Sequence, residues 1–344
     1  MEKMKAVRFY GKDDVRIEEI EKPTPKGGEV LIKIGGAGVC HSDLHIIKDD
    51  IIGDIPPFTL GHENAGWVEA VGEGVTGYKK GDAVIVYGPW GCGHCKPCQM
   101  SSENYCDYQS IQAYGGGLGL NGGLAEYMIV PSERLLVPIM DLDPVVAAPL
   151  SDAALTPYSA IKRSLDKMTT DATVVVLGIG GLGHMALQIL KAVCGSFVIA
   201  GDISEDKLAL AKEHGADMVI NTMDADAAEQ ILKVTGIKKA AVVLDFVGIN
   251  ATINLAKKVI GLNGDMVIVG LGGGQVDVSS GQIPFGVNVS NPYWGSRAEL
   301  IEVIALANQG KLNIALEKYT LDEANEVYEK LHHGKINGRA VLVP

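Results

Sequence analysis

The hydrophobic pattern of the chain changes character near residue 171. From there apolar, β-branched runs alternate with amphipathic stretches. "ATVVVLGIGGLG" leads into "HMALQILKAV", and "FVIAGD" into "EDKLALAKEHGA". "DMVIN", "AAEQILKV", "AAVVLDFVG", "ATINLAKKVI" and "GDMVIVGLGG" follow. Strands this uniformly apolar are buried on both faces, which requires a parallel sheet covered by helices. The alternation therefore predicts a doubly wound α/β domain.

Before about residue 150 the texture differs. Short strand-like pieces ("EVLIKIGGAG", "GWVEAVG", "DAVIVYG", "LAEYMIV") are separated by Gly, Pro and charged turns. This pattern predicts a mainly antiparallel, barrel-like domain. "DPVVAAPLSDAALTPYSAIKR" reads as two helical segments joining the halves. The tail holds two helical stretches and a final strand, "GRAVLVP". The expected organisation is a first domain over residues 1–155, a doubly wound domain over 156–290, and a return to the first domain over 291–344.

Composition narrows the picture. At 344 residues the chain is long enough for two buried cores. Its 43 glycines exceed the usual share of about 7%, so many tight turns or close backbone approaches are expected. A net charge of −12 disfavours general binding to nucleic acid or anionic membrane. The N-terminal "MEKMKAVRFYGKDDVRIEEIEKP" does not read as a signal peptide, and no apolar run is long enough to span a bilayer. The expected location is the cytoplasm, where disulfides are rare and clustered cysteines read first as a metal or redox site.

Such a cluster lies within residues 88–106. Cys92, Cys95, Cys98 and Cys106 follow the spacing C-x2-C-x2-C-x7-C. Tetrahedral zinc takes four thiolates from a turning loop of this kind, and with four sulfurs bound no position is left for a reactant. A closed site is structural. Four cysteines also bind iron–sulfur clusters, and zinc is the favoured reading. His94 and Lys96 read as solvated rather than ligating, and Cys194 as a buried small apolar residue.

The glycine run "GIGGLG" places Gly178, Gly180, Gly181 and Gly183 between a predicted strand and a predicted helix. Such a turn brings backbone N–H groups and the helix dipole to a pyrophosphate. Asp202 follows nineteen positions after Gly183, at the end of the second strand. A carboxylate there accepts hydrogen bonds from adenosine ribose hydroxyls and repels a 2′-phosphate. NAD is thus expected over NADP. A second constellation is "GVCHSDLH" with "GHENAG", in which Cys40, His62 and Glu63 are possible metal ligands; spacing alone does not bring them together.

Taken together, these motifs resemble the zinc-containing medium-chain alcohol dehydrogenases along nearly the whole chain. "GHENAGWVEAVGEGV" fits that family's G-H-E-x2-G-x5-G-x2-V pattern at every fixed position. "GVCHSD" resembles its catalytic zinc segment, "GCGHCKPC" with Cys106 its structural zinc lobe, and "GIGGLG" its cofactor turn. The similarity is greatest to bacterial and archaeal NAD-dependent secondary-alcohol dehydrogenases, which are usually homotetramers.

The resemblance implies a GroES-like catalytic domain beside a Rossmann domain, with two zinc ions per chain. Cys40, His62 and Asp152 would bind the catalytic zinc; many members carry Cys at the last position, so Asp makes this site harder. Glu63 would lie beside the metal, as an alternate fourth ligand or a neighbour. Ser42 would bond the substrate oxygen, and His45 would complete a proton path. His41 and Arg339 would lie near the pyrophosphate and Lys207 at the ribose. Leu182 and Thr156 would back the nicotinamide, with the Val269 and Trp294 backbones at its carboxamide.

The chemistry is consistent with this. Zinc with three protein ligands keeps one position open and can lower the pKa of bound water from 15.7 to about 7, so a bound alcohol should respond similarly. Ser42 also reads as a helix cap for "SDLHIIK", and His45 as a surface residue. Trp294, Ile46 and Phe285 are candidate pocket walls. The expected partner is a small alcohol or ketone. The alternatives are a polyol, sugar or amino-alcohol dehydrogenase, or a non-catalytic protein that binds NAD and zinc.

Overall fold

The computed structural model describes residues 2–49, 57–108 and 115–344. The chain divides into two compact units. Unit 1 comprises Met1–Leu155, Ser296–Gln309 and Ile314–Pro344, and unit 2 comprises Thr156–Gly295 and Gly310–Asn313. No helix among the described residues is long and apolar enough to cross a membrane.

Unit 2 is a doubly wound α/β domain. Its six strands are all parallel. In sheet order they are Met218–Asn221, Phe197–Asp202, Thr173–Leu177, Ala240–Asp245, Ile260–Ile268 and Asn288–Ser290. That order reverses beside the first strand, and ligands of such sheets bind beyond the strands' carboxyl ends at that point. Val175, Leu177, Ile199, Val243, Ile253 and Met266 are buried in one core cluster, as the uninterrupted apolar runs require. The sixth strand carries only "NVS" and no apolar run, so the pattern predicted five strands where six form.

Unit 1 is mainly antiparallel. Among the described residues its largest sheet runs Leu136–Pro138, Ala83–Val86, Glu63–Val71, Val30–Val39, Arg339–Val343 and Leu316–Thr320, and Tyr127–Val130 also pairs with Val30–Val39. Only the Leu316–Thr320 and Arg339–Val343 pair is parallel in this sheet. A smaller sheet joins Asp14–Glu21, Lys3–Gly11 and Phe58–Thr59. The tail supplies helices Arg297–Asn308 and Ala324–His332; Ser296 and Glu299 close a capping box on the first. Leu316–Thr320 is a strand of polar, half-exposed residues that the hydrophobic pattern did not mark.

Candidate active site

Sheet register brings the first set of donors together. Gly38 stands opposite Glu63, and Val39 opposite Ala340. Cys40 follows Val39, His62 precedes Glu63, and Arg339 precedes Ala340, so three neighbouring strands end at one place. Asp152 arrives from the turn after Ala148–Ser151. Ligand atoms of Cys40, His62, Glu63 and Asp152 lie within 4.8 Å of one another, and all four residues are buried. Cys40 Sγ is 3.4 Å from Asp152 Oδ2, which is 3.8 Å from His62 Nε2. A thiol, an imidazole and a carboxylate converging away from water form a donor set suited to zinc.

Asp43 was not singled out from the sequence. It is fully buried, with Oδ1 3.1 Å from His62 Nδ1 and Oδ2 accepting the Cys40 N–H at 2.9 Å. Its carboxylate therefore caps the helix His41–Asp49 and orients the imidazole, leaving Nε2 toward the other donors. Burial works against a charged His62, yet Asp43 raises its pKa well above the ordinary imidazole value. The sequence signal for Asp43 is its place three residues after Cys40 at a helix start, where an acidic side chain reaches back to the cap N–H; the expected cap at Ser42 does not form there. Ser42 instead sits inside the first turn, with Oγ 3.7 Å from Cys40 Sγ.

Arg339 is only 4% exposed and lies among these donors. Its Nε donates to Glu63 Oε2 at 3.0 Å, and its terminal nitrogen bonds both Glu63 Oε1 and Asp152 Oδ2, the latter at 3.1 Å. Burial pushes the Glu63 carboxyl up to about 7 against the pull of Arg339. Ser42 and His45 are three apart on one helix and therefore share a face. His41 is exposed at the helix start.

A second cluster is formed by Cys92, Cys95, Cys98 and Cys106. Cys92 and Cys98 sulfurs are 3.9 Å apart, as are those of Cys95 and Cys106. A disulfide would bring sulfurs to about 2 Å, whereas the edge of a tetrahedron with 2.3 Å metal–sulfur bonds is about 3.8 Å. Backbone N–H groups of Cys92 and Tyr108 point at Cys106 Sγ, and those of His94 and Cys95 at Cys92 Sγ. Against desolvation, the latter two draw the Cys92 thiol down to about 6. Burial pushes Cys98 up. His94 and Lys96 are exposed, and Cys194 is half-buried with its thiol against the Leu190 carbonyl.

In unit 2 the glycine turn joins strand Thr173–Leu177 to helix Gly183–Val193. Gly178 has φ +88°, a left-handed conformation that a side chain disfavours. A Cβ on Gly183 would lie 1.9 Å from the Gly178 carbonyl oxygen, whereas one on Gly180 would meet nothing within 4 Å. The turn is thus tight on its inner side and open at Gly180, with Gly181 and Leu182 half-buried beside it. Asp202 Oδ2 accepts the Ile179 N–H at 2.7 Å, and Oδ1 those of Ile203 and Ser204. The carboxylate thereby ties the end of its strand to the turn.

Lys207 is half-buried on helix Glu205–Glu213; Thr156 and Val269 are buried. Trp294 is buried with φ +53°, an uncommon conformation for a bulky residue. Of the remaining candidate walls, Ile46 is buried, but Phe285 is 78% exposed and open to solvent.

Residues 26–141 match the family model "Alcohol dehydrogenase GroES-like domain", and residues 181–309 match "Zinc-binding dehydrogenase". The chain is 38% identical to an NAD-dependent alcohol dehydrogenase of Sulfurisphaera tokodaii, over 99% of this chain and 100% of the relative. It is also 38% identical to a D-arabinose 1-dehydrogenase (NADP(+)) of Saccharolobus solfataricus, over 96% and 95%. The crystal structure of the alcohol dehydrogenase from Aeropyrum pernix superposes with a TM-score of 0.90 at 36% identity, covering 99% of this chain and all of the other.

Proposed function

Because the chain belongs to the zinc-containing medium-chain alcohol dehydrogenases, we propose that it oxidises alcohols, secondary ones foremost, with NAD as hydride acceptor and two zinc ions per chain. The observation that carries this reading is the buried convergence of Cys40, His62 and Asp152, separate from the cluster of four cysteines. The first set offers three donors and a neighbour, Glu63, whose oxygens are already bonded by Arg339. The second is closed by sulfur and serves as scaffolding, bracing a lobe of unit 1.

When bound, zinc lowers the pKa of an alcohol hydroxyl and NAD accepts the hydride. Cys40, His62 and Asp152 would hold the metal, and Asp43, 3.1 Å from His62 Nδ1, would leave Nε2 as the ligating nitrogen. Ser42 would hydrogen-bond the alcohol oxygen and, as it takes that proton, release its own hydroxyl proton through the cofactor ribose to His45, three residues on along the same helix, which would pass a proton to solvent. In unit 2 the open backbone at Gly180 and the N-terminus of helix Gly183–Val193 would receive the pyrophosphate. Asp202 and Lys207 hold the adenosine ribose, and Asp202 disfavours a 2′-phosphate. Thr156, Leu182, Val269 and Trp294 surround the nicotinamide. Unit 1 is the catalytic domain and unit 2 the cofactor domain, which extends to Gly295 and takes back Gly310–Asn313 rather than ending at residue 290.

The D-arabinose relative favours a second reading, a sugar or polyol dehydrogenase on the same metal chemistry. A panel of primary, secondary and polyhydric alcohols and aldoses, with NAD and NADP, separates the two. Secondary alcohols with NAD should lead; preferential turnover of aldoses with NADP would overturn the first reading. We also place the enzyme in the cytoplasm as a homotetramer, on family resemblance, which light scattering tests.

A further inference from the structure

Helix Gly183–Val193 buries Met185, Ala186, Leu187, Ile189 and Leu190. His184 stands among them, fully buried. A polar ring in such a place needs a partner. Its Nδ1 lies 3.0 Å from the Gly180 carbonyl oxygen. A carbonyl only accepts, so Nδ1 carries the ring's proton. The same oxygen accepts the His184 backbone N–H at 3.1 Å. The His214 ring packs beside the imidazole, 5.8 Å away between centroids and tilted by 50°.

The bond matters because of what lies on the other side of the same peptide. The Gly180 C=O and the Gly181 N–H belong to one planar trans unit and point in opposite directions. Holding the oxygen toward the helix therefore aims the Gly181 N–H outward, to the open side of the turn. Glycines flank this peptide on both sides, so side chains do little to oppose its rotation. A reversed peptide would present a carbonyl oxygen where a phosphate has to sit. Earlier in the turn the Gly178 N–H is taken by the Gly201 carbonyl at 2.8 Å, and the Ile179 N–H by Asp202 Oδ2 at 2.7 Å. The pyrophosphate thus depends on N–H groups further along.

We propose that His184 is a positioning residue for the cofactor: its Nδ1–H locks the Gly180–Gly181 peptide in the orientation that offers the Gly181 N–H to the pyrophosphate. This rests on the reading of the turn as a dinucleotide site. Without the imidazole bond the peptide rotates, and only the molecules with that N–H outward are competent to bind.

The test measures dissociation constants of NAD, ADP-ribose and adenosine for wild type, His184→Phe and His184→Asn. Phe keeps a ring but removes the donor, and Asn places an N–H near the position of Nδ1. His184→Phe should raise the Kd of NAD and of ADP-ribose about fivefold, the population shift that one hydrogen bond sustains. The Kd of adenosine, which has no phosphate, should stay unchanged. His184→Asn should restore most of the lost affinity. Heteronuclear NMR of the wild-type imidazole should show the Nδ1–H tautomer.

A lowered Tm in His184→Phe with all three ligands bound as in wild type would overturn the proposal in favour of a core role. An equal loss for all three ligands would do the same, as would His184→Asn binding no better than His184→Phe. Should His184→Phe fail to fold, the wild-type tautomer decides, and an Nε2–H imidazole overturns the proposal. Failure of the wild type to bind NAD or ADP-ribose would instead sink the dinucleotide reading itself.

Discussion

Asp43 stands with Oδ1 3.1 Å from His62 Nδ1 while its Oδ2 takes the Cys40 N–H at 2.9 Å, so one buried carboxylate ties together two residues of the converging donor cluster. Asp43→Asn removes the charge and one acceptor oxygen at nearly constant volume. Zinc retention at the Cys40 site should fall by roughly 10–100-fold with far-UV circular dichroism unchanged. Competition with a chromogenic chelator measures it. Retention equal to wild type would remove Asp43 from the metal site.

The two cysteine groups should separate in their effects. Cys40→Ala should abolish turnover, lower the zinc count by one and leave NAD binding intact. Cys98→Ser should lower Tm and also remove one zinc, with chemistry persisting in the molecules that remain folded. Zinc counts, Tm and NAD titrations on both variants check this. A Cys98 variant of unchanged Tm that has lost its chemistry would mean that the roles are reversed.

Asp202 takes three backbone N–H groups with its oxygens, and the proposed function adds the adenosine ribose to these. Asp202→Ala should therefore weaken NAD binding and also destabilise the protein by about 1–3 kcal/mol, the usual cost of stranding buried donors. NADP use should rise relative to NAD. Cofactor titrations and urea unfolding separate the two effects, and an unchanged NAD to NADP ratio would contradict the ribose assignment.

Acid stability of unit 2 should depend on Asp265. Its carboxylate is mostly buried and accepts from Lys167 at 2.5 Å and Asn288 at 3.0 Å. Burial pushes its pKa up, but these bonds prevail and hold it below the ordinary value. A depressed carboxylate contributes stability above its unfolded pKa, and that contribution is lost as pH falls through the folded pKa. Asp265→Asn should then cost on the order of 1 kcal/mol at neutral pH, and the gap from wild type should narrow below about pH 4. Urea unfolding at several pH values measures this; a gap that widens in acid would refute it.

The fold was most legible where burial is two-sided. The runs around Val175, Ile199 and Val243 could only be inner parallel strands, and the glycine turn after Leu177 marked the strand-to-helix junction. Asn288–Ser290 and Leu316–Thr320 escaped because their side chains are polar or half-exposed, so pairing rather than apolar patterning defines them. The clustering of the four cysteines was readable because they share one short loop. The other donors come from strands and a turn 112 residues apart between Cys40 and Asp152. Sheet register brings Cys40, His62 and Glu63 together and a separate turn delivers Asp152, and spacing carries neither. Arg339 and Glu63, 276 positions apart, illustrate the same limit.

The most direct test of the central claim is NADH formation from a secondary alcohol as zinc is stripped from the enzyme and then restored, with total zinc counted at each step. The account expects turnover to fall with loss of one zinc per chain, to return when that zinc is restored, and to stay absent in Cys40→Ala throughout. Turnover that persists after the Cys40-dependent zinc is gone would contradict the account, because the buried donors of Cys40, His62 and Asp152 would then have no part in the chemistry.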